Sequence, residues 1–226
     1  MSLHQGSEED RQQALGQLCQ LYWYPLYAYA RKRGFAKQDA EDLTQGFFCQ
    51  LLGRESLSKL SLRESGKLRS FLLTALQRFI TSDWRKASAL KRGGDVQVLS
   101  LEWDDAEIRF EVESGSVDDP EQFFDRRWAA QTLENAIARL RHEYSLGNKA
   151  EVFEVLKPAL GLGSRALDYA EMGEALHLTE GAVRTQVSRF RKQLRALLRE
   201  EISSTIGVDD DVDTELVYLQ ELLMAP

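Results

Sequence analysis

Six cations between Thr179 and Arg199 (Arg184, Arg189, Arg191, Lys192, Arg195 and Arg199) face a single acid, Glu180. Seven more between Lys67 and Arg92 (Lys67, Arg69, Arg78, Arg85, Lys86, Lys91 and Arg92) face only Asp83. A solvated surface mixes charge signs over such distances, whereas a polyanion-binding protein concentrates positive charge where it meets phosphate. Val183, Val187, Phe190, Leu194 and Leu197 recur at helical spacing and bury one side of the later segment, leaving Arg184, Thr185, Ser188, Arg191 and Lys192 on the other. Arginine can fork onto guanine in a major groove while threonine, serine and lysine hold phosphates. Periodicity alone would also suit a solvated bundle helix; the short elbow before it, its N-cap and its basic face favour nucleic acid. No comparable case exists for catalysis. His4, His142 and His177 lie far apart, and no glycine-rich phosphate loop, metal motif or nucleophile elbow is present, so neither an enzyme nor a cofactor is expected. Cys19 and Cys49 each sit in a helical pattern without a partner at metal spacing and read as buried free thiols.

The elements that must position these residues are helical. At 226 residues the chain should hold one large domain or two small ones. Leu15, Leu18, Leu21, Trp23 and Tyr27 form a first apolar seam, with Pro25 expected at a helix start or kink and Arg31–Gly34 as its C-terminal cap. Ala40, Leu43, Phe47 and Leu51 give a second, and residues 53–66 read as a loop. Leu68, Leu72, Ala75, Phe79 and Ile80 start a long helix that fades at Gly93-Gly94. Residues 95–119 read as an acidic linker in which Val96–Leu101 could form at most a short strand. Asp119-Pro120 begins a long amphipathic helix, a short one around Glu151–Leu156 ends at Pro158, and two helices then meet at His177-Leu178-Thr179. The resulting expectation is an all-α protein of two small helical domains joined by an acidic linker: residues 1–94, linker 95–119, a second domain 120–206 containing a helix-turn-helix, and an acidic tail 207–226 with one last helix. No apolar run is long enough for a membrane span, and the N-terminus lacks a basic start and an apolar stretch, so a cytoplasmic location is expected.

Tyr169–Leu194 has the layout of a helix-turn-helix: Met172 and Leu176 bury one face of the first helix, Leu178 fills the elbow and Thr179 is a good N-cap for the second. With that segment in view, the chain resembles bacterial sigma factors of the extracytoplasmic-function group. Tyr22–Phe35 followed by Asp39-Ala-Glu-Asp-Leu-Thr-Gln-Gly-Phe-Phe resembles the start of the family's region 2, Lys67–Gly94 its promoter-contacting end, and Tyr169–Leu198 its region 4. The resemblance covers about 150 residues in two blocks in family order. It departs from the family at His177, where glycine is usual in the turn, and at Gly173, where alanine is usual. Histidine tolerates a left-handed backbone better than most residues.

The resemblance implies a transcription initiation factor with two partners, core RNA polymerase and promoter DNA, and with an anti-sigma factor or other regulator as a further partner class. Docking on the clamp coiled coil of the largest polymerase subunit would fall to Asp39, Asp42, Leu43, Gln45 and Phe48. The −10 promoter element would meet Lys67, Arg69, Thr74, Arg78, Thr81, Arg85 and Lys86, among which Thr74, Arg78, Thr81 and Arg85 share a stripe at helical spacing that can track a backbone. The −35 element would meet Thr179, Arg184, Thr185, Ser188, Arg189, Arg191 and Lys192. The rival reading is a free-standing helix-turn-helix regulator that binds duplex DNA without polymerase, for which the Asp39–Phe48 block has no use. Asp95–Asp119 and Asp209–Glu221 are expected to lie against the basic islands and weaken DNA binding in the free protein, or, for the linker, to thread the polymerase channel meant for RNA.

Overall fold

The computed structural model describes residues 8–51, 66–82, 103–115, 119–161, 168–207 and 209–224, and every regular element among them is helical. The elements are α1 (Glu8–Lys32), α2 (Lys37–Leu51), α3 (Leu68–Ser82), α4 (Trp103–Glu113), α5 (Pro120–Leu146), α6 (Ala150–Leu156) running into a 3-10 turn (Lys157–Leu160), α7 (Tyr169–Leu176), α8 (Glu180–Ser203) and α9 (Val212–Met224). They form two compact units. The first comprises residues 1–131 together with 203–226, the second residues 132–202.

The first unit is built around α1, whose Leu21, Tyr22, Tyr24, Leu26, Tyr27 and Tyr29 are buried. Pro25 lies inside this helix rather than at its start. The backbone bond it forgoes is a local loss, and the burial of aromatic side chains on both sides of it holds the helix through the proline. Gly34 at φ 92° ends α1, with Phe35 N donating to Ala30 O at 3.2 Å, the hydrogen-bond pattern of a left-handed cap. Ala40, Leu43, Phe47 and Phe48 of α2 and Leu72, Leu76 and Phe79 of α3 complete that side of the core.

The segment expected to be a linker carries a packed helix, and the last helix expected in the tail is present and packed as well. In α4, Ala106 and Phe110 are buried and Trp103 sets its ring edge-on to Trp23 at 5.5 Å, a spacing of three, four and seven that puts one apolar stripe on α1. Asp119 caps α5 by accepting from Glu121 N (2.8 Å) and Gln122 N (3.1 Å), and Phe123, Phe124 and Trp128 of its first turns are buried in the same unit. Asp211 caps α9 through Asp213 N and Thr214 N, and Leu216 and Leu219 are buried there as well. Cys19 is buried as expected, but Cys49 is exposed: it falls on the solvent side of α2, one position past Phe48. The residues 53–65, 83–94 and 96–101, with the loop, the helix end and the short strand expected there, lie outside the described residues.

The second unit packs the remainder of α5 with α6, α7 and α8. Tyr144, Phe153 and Phe190 form a triangle of edge-on rings with centroids 5.4 to 6.0 Å apart, and Val183, Val187, Phe190, Leu194 and Leu197 form the buried stripe of α8. Arg139 on α5 pairs with Glu200 (2.8 Å) and Glu201 (2.6 Å), so the acids at the end of α8 are engaged within the unit.

Candidate nucleic-acid interface

The turn between α7 and α8 is set by a short run of local contacts. Asp168 caps α7 by accepting from Ala170 N and Glu171 N at 2.9 and 3.0 Å. His177 ends it in the left-handed region (φ 56°, ψ 41°), a conformation that costs a β-carbon-bearing residue energy yet which histidine adopts more readily than most. Leu178 N then donates back to Gly173 O at 2.8 Å, and Thr179 Oγ1 accepts from Ala182 N at 3.3 Å to start α8. Gly173 is required by this closure, since a β-carbon there would stand 2.7 Å from Leu178 O. Both positions that depart from the family pattern therefore belong to one tight turn.

Thr179, Arg184, Thr185, Ser188, Arg189, Arg191 and Lys192 are all exposed. At about 100° per residue, Arg184, Thr185, Ser188, Arg191 and Lys192 fall within about a 120° arc of α8, opposite its buried stripe, with Thr179 at the helix entry and Arg189 at the edge. Arg195 belongs to the same arc and is exposed too. Several of these side chains are already oriented. Arg184 lies over the Tyr169 ring (4.4 Å to the centroid) and 3.8 Å from Glu180, and Arg191 donates through Nε to Ala159 O at 2.7 Å, tying α8 to the 3-10 turn. Tyr169 is a contributor that residue type alone did not single out, because its part depends on α7 bringing it under an arginine fifteen positions on.

In the first unit the anticipated residues divide. Thr74, Arg78 and Thr81 are exposed on α3, the two threonine hydroxyls donating to backbone carbonyls of their own helix (2.8 to 3.2 Å) and keeping lone pairs outward. Arg69 instead is 7% exposed. It donates to Glu215 (Nε, 2.7 Å) and Asp125 (2.9 Å), and its guanidinium lies between the rings of Trp128 and Tyr218 at 4.9 and 4.6 Å. Lys67, half-buried, pairs with the same Glu215 at 2.5 Å. Burial alone would raise the Glu215 carboxyl, but hydrogen bonds from Arg69 and Lys67 outweigh it and hold the group below the ordinary carboxylate range. Burial and the hydrogen bond it donates to Asp125 push the Tyr218 hydroxyl up to about 12. Arg85 and Lys86 lie outside the described residues.

On α2, Asp39 is exposed and Asp42 and Gln45 are half-buried, whereas Leu43 and Phe48 are fully buried in the core. The first three are reachable by a partner, and the last two support the helix from beneath. The acids of α4 engage α1 and α5. Glu107 binds Arg31 (2.6 and 3.0 Å) and accepts from Tyr27, and Glu113 pairs with Arg127 (2.5 Å) and Arg109 (3.1 Å) and accepts from Tyr24. For both carboxyls, charge partners and tyrosine donors overcome the raising effect of burial and lower the pKa. These described acids of the 95–119 segment thus neutralise Arg31, Arg109 and Arg127, outside the two basic islands.

A protein-family model described as ECF sigma factor matches residues 2–201. No curated protein and no solved structure matches the chain. Among the described residues no helix is long and apolar enough to cross a membrane.

Proposed function

The chain belongs to the ECF sigma factor family and is a transcription initiation factor that works with RNA polymerase, and from that premise we propose how its surfaces divide the work. α7 and α8 act as a helix-turn-helix whose second helix enters the major groove of the −35 element, with Arg184 and Arg191 able to read base edges and Thr185, Ser188, Arg189 and Lys192 placed for phosphate. The observation that carries this reading is the common exposure of the seven anticipated residues beside a fully apolar opposite stripe. Thr74, Arg78 and Thr81 on α3 track the −10 element, together with Arg85 and Lys86. Asp39, Asp42 and Gln45 on α2 contact the polymerase clamp, while buried Leu43 and Phe48 fix that helix without touching the partner. The protein performs no catalysis of its own and acts in the cytoplasm.

Co-purification with core RNA polymerase tests the proposal. Wild type should form a stable complex, and an Asp42→Arg, Gln45→Ala double variant of unchanged helicity should not. A wild type that binds duplex DNA but not polymerase would establish the free-standing regulator in its place.

A further inference from the structure

We propose that α9 is an internal cover that keeps the cationic entry of α3 away from DNA in the free protein. The inference rests on the reading of α3 as a promoter-contacting helix.

Residues 66–69, which lead into α3 and begin it, are tied to the C-terminal segment. Leu68 N donates to Thr205 O at 2.8 Å, and Gly66 N donates to Asp210 Oδ2 at 2.7 Å, so the backbone leading into α3 is tied before the helix begins. Glu215 then stands between Lys67 and Arg69, accepting from the arginine through both oxygens at 2.7 and 3.4 Å. A carboxylate held by a guanidinium fork and an ammonium occupies the same donors that a nucleic-acid phosphate would use. The Tyr218 ring closes over both cations, 5.5 Å from Lys67 Nζ and 4.6 Å from the Arg69 guanidinium. Leu216 and Leu219, both buried, hold α9 in this position by means that do not depend on salt. From Glu200 onward the chain carries eight acids and no base, so the covering segment also repels a polyanion approaching this end of α3. Thr74, Arg78 and Thr81 lie farther along the helix and are exposed.

Binding of the free full-length protein to a random-sequence DNA duplex, followed by fluorescence anisotropy across a salt series, reads the cover directly. Deletion of residues 208–226 and the substitution Glu215→Gln should each tighten binding at low salt, the deletion by about tenfold, and should steepen the salt dependence by about one to two released counterions. Lys67→Gln should weaken binding by the deleted form. Glu215→Gln retains Leu216 and Leu219 and is the deciding variant if the deletion does not fold, as judged by circular dichroism. Wild-type affinity and salt slope in folded Glu215→Gln protein would overturn the cover. Arg78→Ala separates this from the underlying reading: if it leaves DNA binding unaltered in the uncovered protein, α3 is not a DNA-contacting helix. If it weakens binding while Glu215→Gln does nothing, only the cover fails.

Discussion

Gly173→Ala should destabilise the second unit, although helix propensity taken alone predicts the opposite. Alanine is favoured over glycine by about 1 kcal/mol in a helix interior. Here the added methyl would stand 2.7 Å from Leu178 O, and the obstruction is a backbone atom, so no side-chain rotation relieves it. Leu178 is itself fixed, since its N–H closes the turn on Gly173 O at 2.8 Å and the next residue caps α8. Relief therefore requires moving the start of α8, and overpacking of that kind costs about 1–3 kcal/mol. The difference leaves a net loss of about 1 kcal/mol and a fall in Tm of about 2–4 °C for a chain of this length. His177→Gly is the matched control in the same turn. It removes the left-handed strain of a non-glycine residue at φ 56° and should raise stability by up to about 1 kcal/mol. Thermal unfolding followed by circular dichroism measures both. A Tm for Gly173→Ala equal to or above that of wild type would refute the reasoning, because it would mean that the turn yields freely.

Arg69→Ala should cost about 3 kcal/mol, because it strands the buried Glu215 carboxylate with Lys67 as its remaining cation; urea unfolding should show it, and a neutral result would mean that Arg69 is not a structural partner. Titration of the native protein with a thiol reagent at neutral pH should modify Cys49 rapidly and Cys19 only on unfolding, since Cys49 is exposed while burial, with a smaller contribution from Cys49 nearby, pushes the Cys19 thiol up to about 11. Glu107, Glu113 and Glu215 have folded pKa values below the ordinary 4.5, so the stability they contribute is fully present above that pH and is lost as pH falls through the lowered values. Emission from Trp23, Trp103 and Trp128 should accordingly report a Tm that is flat above about pH 5 and declines below it, and a Glu107→Gln, Glu113→Gln variant should decline less; onset of the decline near neutral pH would count against these carboxylates.

The helices of the second unit were legible because each is announced by local chemistry. Thr179 and the four-three-four-three spacing from Val183 to Leu197 act within a few residues of the boundary or face they specify, as Asp119-Pro120 does for the start of α5 in the first unit. The exposed face of α8 followed from the same periodicity. What was not legible depends on contacts between distant positions. Arg69 has the charge and the sequence neighbours of a DNA contact, and only the return of Asp125, Trp128, Glu215 and Tyr218 to its side makes it an interior residue. Residues 103–113 read as a connector because five of the eleven are acids. Their apolar positions were in plain view at helical spacing, but the partners that absorb those charges, Arg31 and Arg127, lie 76 and 14 positions from the acids they bind. The spacing already puts Leu43 on the buried seam, whereas the motif it shares with Asp39, Asp42, Gln45 and Phe48 gives order along the chain and not the side of the helix on which a residue ends.

The arrangement of charge explains how a chain of net charge −7 can still present a cationic face. In the first unit three carboxylates are engaged internally. Glu107, Glu113 and Glu215 pair with Arg31, Arg109, Arg127, Lys67 and Arg69 and offset their charge. In the second unit the pairing runs the other way, since Arg139 holds Glu200 and Glu201 at the far end of α8 and Glu154 is held by Arg141. Glu180 stands beside the start of the arc from Arg184 to Arg195, 3.8 Å from Arg184, and it lies at the helix N-terminus, where a carboxylate also favours the dipole. Net charge governs solubility and long-range approach, but phosphate binding responds to local potential within about a Debye length, roughly 8–10 Å at physiological salt. Over that distance the exposed cations of α8 weigh more than the sum over the chain. The acidic total is thus compatible with DNA binding because acids of the first unit offset cations of that unit, while α8 gathers its cations on one exposed arc.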